Sequence, residues 1–191
     1  MENIKYFETI KCEDFEVFNL DFHNKRVSNT IGLNLNLQEY INPISNELLR
    51  CKLIYNNNDV IDVQYFPYNN KREIKSFKIV FDDEIDYSKK YLNRENLDKL
   101  FLKKDTCDEI IIVKNGFITD TTIANIAIFK DGYWITPKTP LLKGTTRDRL
   151  LEEKHIIEKD ISLEMLLDSS EIALMNAMIG FEIIEKPKII L

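Results

Sequence analysis

Lys90 stands where a lysine could act as a nucleophilic amine. It lies in Ser88-Lys-Lys-Tyr-Leu-Asn-Arg-Glu, between the last predicted strand of the first half of the chain and the first predicted helix of the second half. A lysine at a junction between lobes can enter a cleft, where desolvation lowers the pKa of its ammonium group and favours attack on an aldehyde. Most lysines in a lysine-rich chain are only solvated. An ordinary surface lysine therefore remains an alternative to a nucleophilic one.

Asp120 opens the segment Asp120-Thr-Thr-Ile-Ala-Asn125, which follows a predicted strand, turn and strand. A carboxylate at this point could pair with a protonated pyridine nitrogen and keep the ring cationic, which makes the ring an electron sink. The alternative, favoured by composition alone, is an Asx-type cap on a turn.

Two further segments could bind an anion. Gly144-Thr-Thr-Arg147 precedes a predicted helix, and backbone N–H groups at a helix N-terminus form a ready anion site. An ordinary helix start with Thr145 or Thr146 as N-cap is an equal alternative. Arg26 lies on an early predicted helix, in His23-Asn-Lys-Arg26, and its guanidinium is a rigid fork of donors suited to phosphate. A lone arginine on a polar helix is more often a surface charge.

The elements that would position these residues are mostly strands, and they do not alternate regularly with helices. In the first half we predict a helix at Asp21–Thr30 and strands at Lys5–Ile10, Glu16–Leu20, Leu48–Tyr55, Val60–Tyr68 and Ile74–Phe81. In the second half we predict helices at Asn93–Lys104, Thr146–Lys154 and Ser162–Ser169, and strands at Glu109–Val113, Phe117–Ile118, Ile123–Phe129, Tyr133–Thr136, Glu171–Met175 and Glu182–Ile184. The acidic stretch near Asp82–Ser88 separates the halves, so the sequence predicts an α+β protein with lobes at residues 1–86 and 87–191.

Composition narrows the possible functions. The chain has 191 residues, of which 44% are hydrophobic and 30% charged, and this balance is typical of globular proteins. We expect a cytoplasmic protein, because the sequence has no signal-peptide pattern and no apolar run long enough for a bilayer. Three widely spaced cysteines argue against both a disulfide framework and a zinc site. A net charge of −6 disfavours nucleic acid as a partner and means that a phosphate-bearing ligand would need specific donors.

Taken in chain order, these segments resemble the conserved blocks of the class IV aminotransferases, the fold-type IV enzymes that depend on pyridoxal 5'-phosphate (PLP). The resemblance covers nearly the whole chain and is strongest from Lys90 onward. Phe7-Glu-Thr-Ile10 is similar to the family's Phe-Glu-Thr, His23-x-x-Arg26 to its His-x-x-Arg-Leu, and Lys90-Tyr-Leu-Asn-Arg94 to the Lys-x-Leu-Asn-Arg around its Schiff-base lysine. Asp120-Thr-Thr-Ile-Ala-Asn125, Thr136-Pro137, Leu142-Lys-Gly-Thr-Thr-Arg147 and Asn176-Ala177 resemble Glu-Thr-Thr-x-Ala-Asn, Thr-Pro, Leu-x-Gly-x-Thr-Arg and Asn-Ala.

The resemblance implies a two-lobed fold like that of D-amino-acid aminotransferase, with a reduced N-terminal α/β lobe, a PLP-binding C-terminal lobe and a homodimeric assembly. Lys90 would hold the cofactor and later carry a proton at the substrate carbon, while Asp120 would pair with the pyridine nitrogen. The remaining cofactor-binding residues implied by the resemblance are Arg26, Asn125, Gly144, Thr145, Thr146 and Ala177.

Within the family, the blocks at Lys90 and Asp120 are more similar to 4-amino-4-deoxychorismate lyases than to branched-chain or D-amino-acid aminotransferases. The implied reaction eliminates pyruvate from aminodeoxychorismate and leaves 4-aminobenzoate, a folate precursor. Two alternatives stay open: an aminotransferase acting on a small amino acid, and a non-catalytic homologue with a binding role. Members of the family often have Arg-Gly, which can help to bind a substrate carboxylate, where this chain has Tyr55-Asn56.

Overall fold

The computed structural model describes residues 4–69 and 73–191, which form two units. The first unit contains residues 4–69 together with Lys89–Asn93, and the second contains residues 73–88 together with Arg94–Leu191. Residues 1–3, part of the start in which no signal peptide was recognised, lie outside the described residues.

The first unit is an antiparallel sheet with one helix packed against it. Its strands are β1 (Tyr6–Glu13), β2 (Glu16–Val17), β3 (Leu49–Tyr55) and β4 (Val60–Pro67), in the order β2-β1-β3-β4. Helix α1 (Leu20–Ile31) ends at Gly32, whose positive φ of 75° suits glycine. In β1, alternate residues face the core and α1: Tyr6, Glu8, Ile10 and Cys12 are all buried. A 3-10 helix at Leu37–Glu39 was not predicted.

Lys89–Asn93 joins the first unit through main-chain pairing with β1. The N–H of Phe7 donates to the carbonyl of Lys90 (3.0 Å), and the N–H of Leu92 donates to the carbonyl of Lys5 (2.9 Å). Tyr6 and Tyr91 form an antiparallel bridge. Since β3 pairs with the other edge of Tyr6 and Phe7, β1 separates β3 from the Lys89–Asn93 segment.

The second unit contains two sheets. The four-stranded sheet has the order β13-β5-β6-β7 and the five-stranded sheet the order β10-β9-β8-β11-β12. The strands are β5 (Ser76–Phe81), β6 (Glu109–Lys114), β7 (Phe117–Ile118), β8 (Asn125–Lys130), β9 (Tyr133–Pro137), β10 (Ile157–Lys159), β11 (Glu171–Asn176), β12 (Gly180–Glu185) and β13 (Lys188–Ile190). The helices are α2 (Glu95–Phe101), continued by a 3-10 turn at Leu102–Lys104, α3 (Thr145–Glu152) and α4 (Leu163–Leu167). One buried apolar cluster draws on both sheets, including Phe77 and Ile111 from the first and Ile126 and Leu174 from the second.

The structure has the predicted α+β composition, but its units divide the chain differently from the predicted lobes 1–86 and 87–191. Residues 73–88 belong to the second unit because β5 pairs in parallel with both β6 and β13. Lys89–Asn93 belongs to the first unit because of its pairing with β1, so Lys90 lies in the first unit. The short strands β10 and β13 were not predicted, because each has only three residues and pairs in parallel with a strand distant in sequence.

Candidate functional site

Lys90 is anchored by its backbone and lies against an aromatic ring. Its carbonyl accepts the N–H of Phe7, and its Nζ lies 4.6 Å from the centroid of the Phe7 ring. The neighbouring Lys89 points elsewhere: its Nζ donates to the carbonyl of Thr30, the last buried residue of α1, at 2.7 Å. The two adjacent lysines therefore have different surroundings, and only Lys90 shares the environment of Phe7.

Arg26 is held in a buried charge network with Glu8 and His23. The Nε of Arg26 donates to Glu8 Oε1 at 3.0 Å, and its Nη2 donates to Glu8 Oε2. The Nδ1 of His23 lies 2.6 Å from the same Oε2. The side chain of Arg26 is only 12% exposed, so it is not the surface charge that a polar helix suggests.

The charges of this network follow from burial and pairing. Burial acts to raise the pKa of Glu8, but Arg26 and the hydrogen bond from His23 outweigh it and hold the pKa at about 2. Burial lowers the pKa of His23, although Glu8 opposes the shift and the nearby charges of Arg26 and Lys90 add to it. His23 is therefore neutral at pH 7, and because an ionised Glu8 can only accept, Nδ1 of His23 carries the proton.

In the second unit, Asp120 is clamped by two donors. Asn125 donates from Nδ2 to Asp120 Oδ1 at 2.7 Å, and the backbone N–H of Leu142 donates to Oδ2 at 2.9 Å. The same Nδ2 also donates to the carbonyl of Leu142 at 2.7 Å. Burial raises the pKa of Asp120 to about 6, although both donors oppose the shift. Asp120 is thus mostly ionised at neutral pH, but it is easily protonated below that.

Gly144 allows the loop before α3 to approach Asn125 closely. A Cβ at Gly144 would lie 2.0 Å from Asn125 Oδ1, far inside van der Waals contact. Gly144 is the N-cap of α3, so neither Thr145 nor Thr146 fills that position, and the cap makes no side-chain hydrogen bond. Thr145 and Thr146 are both buried in the first turn of the helix.

Arg147, which follows the two threonines, is buried and was not predicted to have a structural role. Its Nη2 donates to the carbonyl of Pro137 at 2.9 Å and to Glu158 Oε1 at 2.5 Å. These bonds join the start of α3 to the end of β9 and to β10. The pairing with Glu158 could not be predicted because β10 itself was not predicted.

Ala177 lies in the turn between β11 and β12. Asn176 shapes this turn, since its Oδ1 accepts the N–H groups of Met178 and Ile179 at 2.9 and 3.1 Å. Its Nδ2 donates to the carbonyl of Ile123 at 3.3 Å, in the loop that follows Asp120. Because Met175 pairs with Asn125, this turn and the start of β8 lie at the same end of the five-stranded sheet.

The structure thus groups the candidate residues by unit. The first unit brings together Arg26, Glu8 and His23 and places Lys90 beside Phe7. The second unit gathers the remaining predicted residues around one end of its five-stranded sheet: Asp120, Asn125, Gly144, Thr145, Thr146 and Ala177. Glu8 was missed as a functional residue, although strand alternation gave a signal, since an acidic residue at a core-facing position of β1 must have partners.

Among residues 4–69 and 73–191 there is no group of three or more His, Cys, Asp or Glu side chains arranged to hold a metal ion. Over the same residues, no helix is both long enough and apolar enough to cross a membrane.

Solved structures and curated proteins similar to this chain indicate its relatives. A structure from Haemophilus somnus, provisionally named a 4-amino-4-deoxychorismate lyase, is 37% identical, with a TM-score of 0.86 over 94% of this chain and 99% of that one. A PLP-bound aminotransferase from Mycobacterium tuberculosis, described as hypothetical, shares the fold, with 16% identity and a TM-score of 0.80 over 96% of this chain and 83% of that one.

Two curated sequences also match. An uncharacterised protein of Haemophilus influenzae is 38% identical over 186 residues, which is 91% of this chain and 97% of that protein. A provisionally named aminodeoxychorismate lyase of Schizosaccharomyces pombe is 39% identical over 75 residues, 37% of this chain and 32% of that protein. Residues 86–186, more than half of the chain, match the family model of amino-transferase class IV. The chain therefore belongs to the amino-transferase class IV family, as its sequence blocks predicted.

Proposed function

We propose that this protein is a PLP-dependent lyase that removes pyruvate from 4-amino-4-deoxychorismate and leaves 4-aminobenzoate. The observation that carries the proposal is the likeness to the Haemophilus somnus protein, which extends over 94% of this chain at 37% identity and bears the lyase name. The shorter match to the Schizosaccharomyces pombe protein, which bears the same activity in its name, adds support.

The residues present fit the chemistry of PLP, a cofactor that the family implies. Lys90 supplies an amine for the aldehyde. Asp120, buried and clamped by Asn125 and Leu142, supplies a carboxylate for the ring nitrogen. Beside such a cation its pKa would fall below about 6, and the carboxylate would stay ionised.

Phosphate would be held by directional donors rather than by excess charge. Glu8 and Arg26 carry opposite charges and His23 is neutral, so this network has no net charge to offer. In our proposal Arg26 contributes guanidinium N–H groups, and the first turn of α3 contributes the backbone N–H groups of Thr145 and Thr146. Gly144 and Ala177 complete the set by keeping the backbone near the cofactor free of bulky side chains.

When bound, PLP supplies an electron sink for the bonds around the substrate's amine-bearing carbon. The tasks of the chain are orientation and proton transfer. Nζ of Lys90 would hold the cofactor through its aldehyde, and the same nitrogen would take a proton from the substrate carbon that bears the amine. The bond between the substrate ring and the enolpyruvyl oxygen then breaks. Pyruvate leaves after taking up a proton, and the substrate ring becomes aromatic.

The cofactor part of the proposal is tested by trapping. Purified protein is incubated with PLP, its absorbance is recorded, and borohydride is added to fix the cofactor to the amine that holds it. We expect a yellow protein whose colour is lost on reduction and a pyridoxyl group on Lys90 in the mass spectrum. Lys90→Ala should lose both signals, while Lys89→Ala, which changes the adjacent lysine, should keep them. A colourless wild type with no labelled lysine would contradict the proposal.

The reaction itself separates the lyase from the alternatives. Release of pyruvate and 4-aminobenzoate from aminodeoxychorismate, with no α-keto acid added, is the result we expect. Product formation only when an α-keto acid acceptor is present would instead identify an aminotransferase. A wild type that holds PLP but performs neither reaction would favour a binding role.

A further inference from the structure

In the first unit, the face of the sheet that points away from α1 carries a row of cations. Alternation along β1 and β3 places Phe7, Thr9 and Lys11 on this face, opposite Ile54, Lys52 and Arg50 in register. These residues are at least partly exposed, except Phe7, which is 9% exposed.

Among these cations, Lys52 is the one that lies beside the ring of Phe7. Lys11 forms an ion pair with Glu13 at 2.6 Å, and the Arg50 guanidinium stacks over the ring of Phe66, 5.0 Å from its centroid. Lys52 makes no ion pair within 4.0 Å anywhere in the described part of the chain, and its Nζ lies 5.8 Å from the centroid of the Phe7 ring. A half-buried ammonium group without a carboxylate partner is suited to pair with an anionic ligand.

Lys52 and Lys90 approach the same ring from opposite sides of β1. Lys52 extends from β3 and Lys90 from the Lys89–Asn93 segment, and β1 lies between them. With neighbouring strands about 4.8 Å apart, their backbones are about 10 Å apart across β1. Their nitrogens lie 5.8 and 4.6 Å from the Phe7 centroid, so they are no more than about 10 Å from each other.

We propose that Lys52 is a specificity-determining residue that binds a substrate carboxylate remote from the reacting amine, which is a deepening of the function proposed above. A substrate whose amine takes the place of Lys90 would extend over Phe7 toward Lys52. An α-carboxylate is only two bonds from its amine and stays near Lys90, whereas a carboxylate at the far end of a ring reaches toward Lys52. Because the whole chain carries a net charge of −6, an anionic substrate needs such a local cation.

The test compares two ligands that differ only in charge. The dissociation constants of 4-aminobenzoate and its uncharged amide, 4-aminobenzamide, are measured by calorimetry for wild type, Lys52→Gln, Lys52→Arg and the same-face control Lys11→Gln. Each protein is titrated with and without PLP, after circular dichroism has established that it is folded. We expect wild type to bind the acid at least roughly tenfold more tightly than the amide. Lys52→Gln should abolish that difference, and Lys52→Arg and Lys11→Gln should keep it.

Three results would overturn the inference: a wild type that binds acid and amide equally, a Lys52→Gln variant that still prefers the acid, or an equal loss of preference in Lys11→Gln. Borohydride trapping on the same preparations keeps the two proposals apart. Failure to label Lys90 in wild type counts against the proposed function, while the titrations without PLP still report on Lys52.

Discussion

Glu8 occupies a strand position that faces the core, between Tyr6 and Ile10, yet it is ionised. Its charge is tolerated because Arg26 and His23 together satisfy both carboxylate oxygens. Asp120 is the other fully buried carboxylate of the candidate site, but its partners are neutral donors and its pKa is shifted the other way, to about 6. The two buried carboxylates therefore change the stability of the fold in opposite directions as the pH changes.

The pH dependence of stability should reveal Glu8. Its pKa is about 2 in the folded protein and about 4.5 when unfolded, so its contribution is present above pH 4.5 and is lost as the pH falls toward 2. The shift corresponds to roughly 3 kcal/mol. We expect Glu8→Gln to be destabilised at pH 7, because Arg26 loses its partner, and to lose less further stability in acid than wild type does. Urea unfolding at several pH values measures both effects.

The control for this experiment is Glu13→Gln, at a partly exposed position of the same strand. It should unfold like wild type across the pH range. A Glu8→Gln variant with the wild-type acid dependence would show that another group is responsible. Asp120 does not obscure the result, since its raised pKa makes stability fall as the pH rises from about 4 to about 6.

At the scale of elements, local pattern predicted much of the fold. β1, β3, β8 and β9 overlap the strands predicted at Lys5–Ile10, Leu48–Tyr55, Ile123–Phe129 and Tyr133–Thr136, and Lys130-Asp-Gly between the last two is typical of the hairpin that joins β8 and β9. Sequence blocks also pointed to Asp120 and Gly144. Contacts between distant segments could not be predicted, because nothing in the pattern of Lys188–Ile190 indicates that it pairs with β5. The hydrogen bond from the Leu142 backbone to Asp120 could not be predicted either, because it depends on the path of the loop before α3.

Gly144 offers a test of that clamp. In Gly144→Ala the new Cβ would meet Asn125 Oδ1 at 2.0 Å, so either the loop before α3 or the Asn125 side chain must move. We expect a loss of roughly 1–3 kcal/mol in the free energy of unfolding and weaker binding of PLP. Denaturant unfolding and PLP titration measure the two effects. Lys143→Ala, at the exposed neighbouring position, should change neither. A Gly144→Ala protein as stable as wild type would show that the approach is not tight.

At the scale of the whole molecule, neither unit is continuous in sequence. The second unit is interrupted by Lys89–Asn93, and the first is completed by that segment. Lys90 therefore depends for its position on a pairing between residues more than eighty positions apart. Composition places the predicted boundary before Lys90, whereas the main-chain pairing with β1 groups Lys90 with the first unit.

Amide hydrogen exchange can test how firmly this segment is held. Tyr91 packs on Tyr6 with ring centroids 5.6 Å apart, so Tyr91→Ala should weaken the pairing. We expect the N–H groups of Phe7 and Leu92, which form the main-chain bonds, to exchange roughly tenfold faster or more. The amide of Ile112, bonded in the second unit to the carbonyl of Asp120, should be unaffected. Tyr133→Ala, at an exposed tyrosine, is the control, and unchanged exchange at Phe7 in Tyr91→Ala would refute the expectation.

The interruption also constrains how this protein could be recombined with its relatives. A chimera made with one crossover between residues 73 and 94 would build at least one of the two units from pieces of both parents. Only a double exchange that moves residues 4–69 and Lys89–Asn93 together transfers the whole first unit, including Lys90, from one parent. Laboratory shuffling of this family should therefore yield functional hybrids when the two inherited pieces come from the same parent.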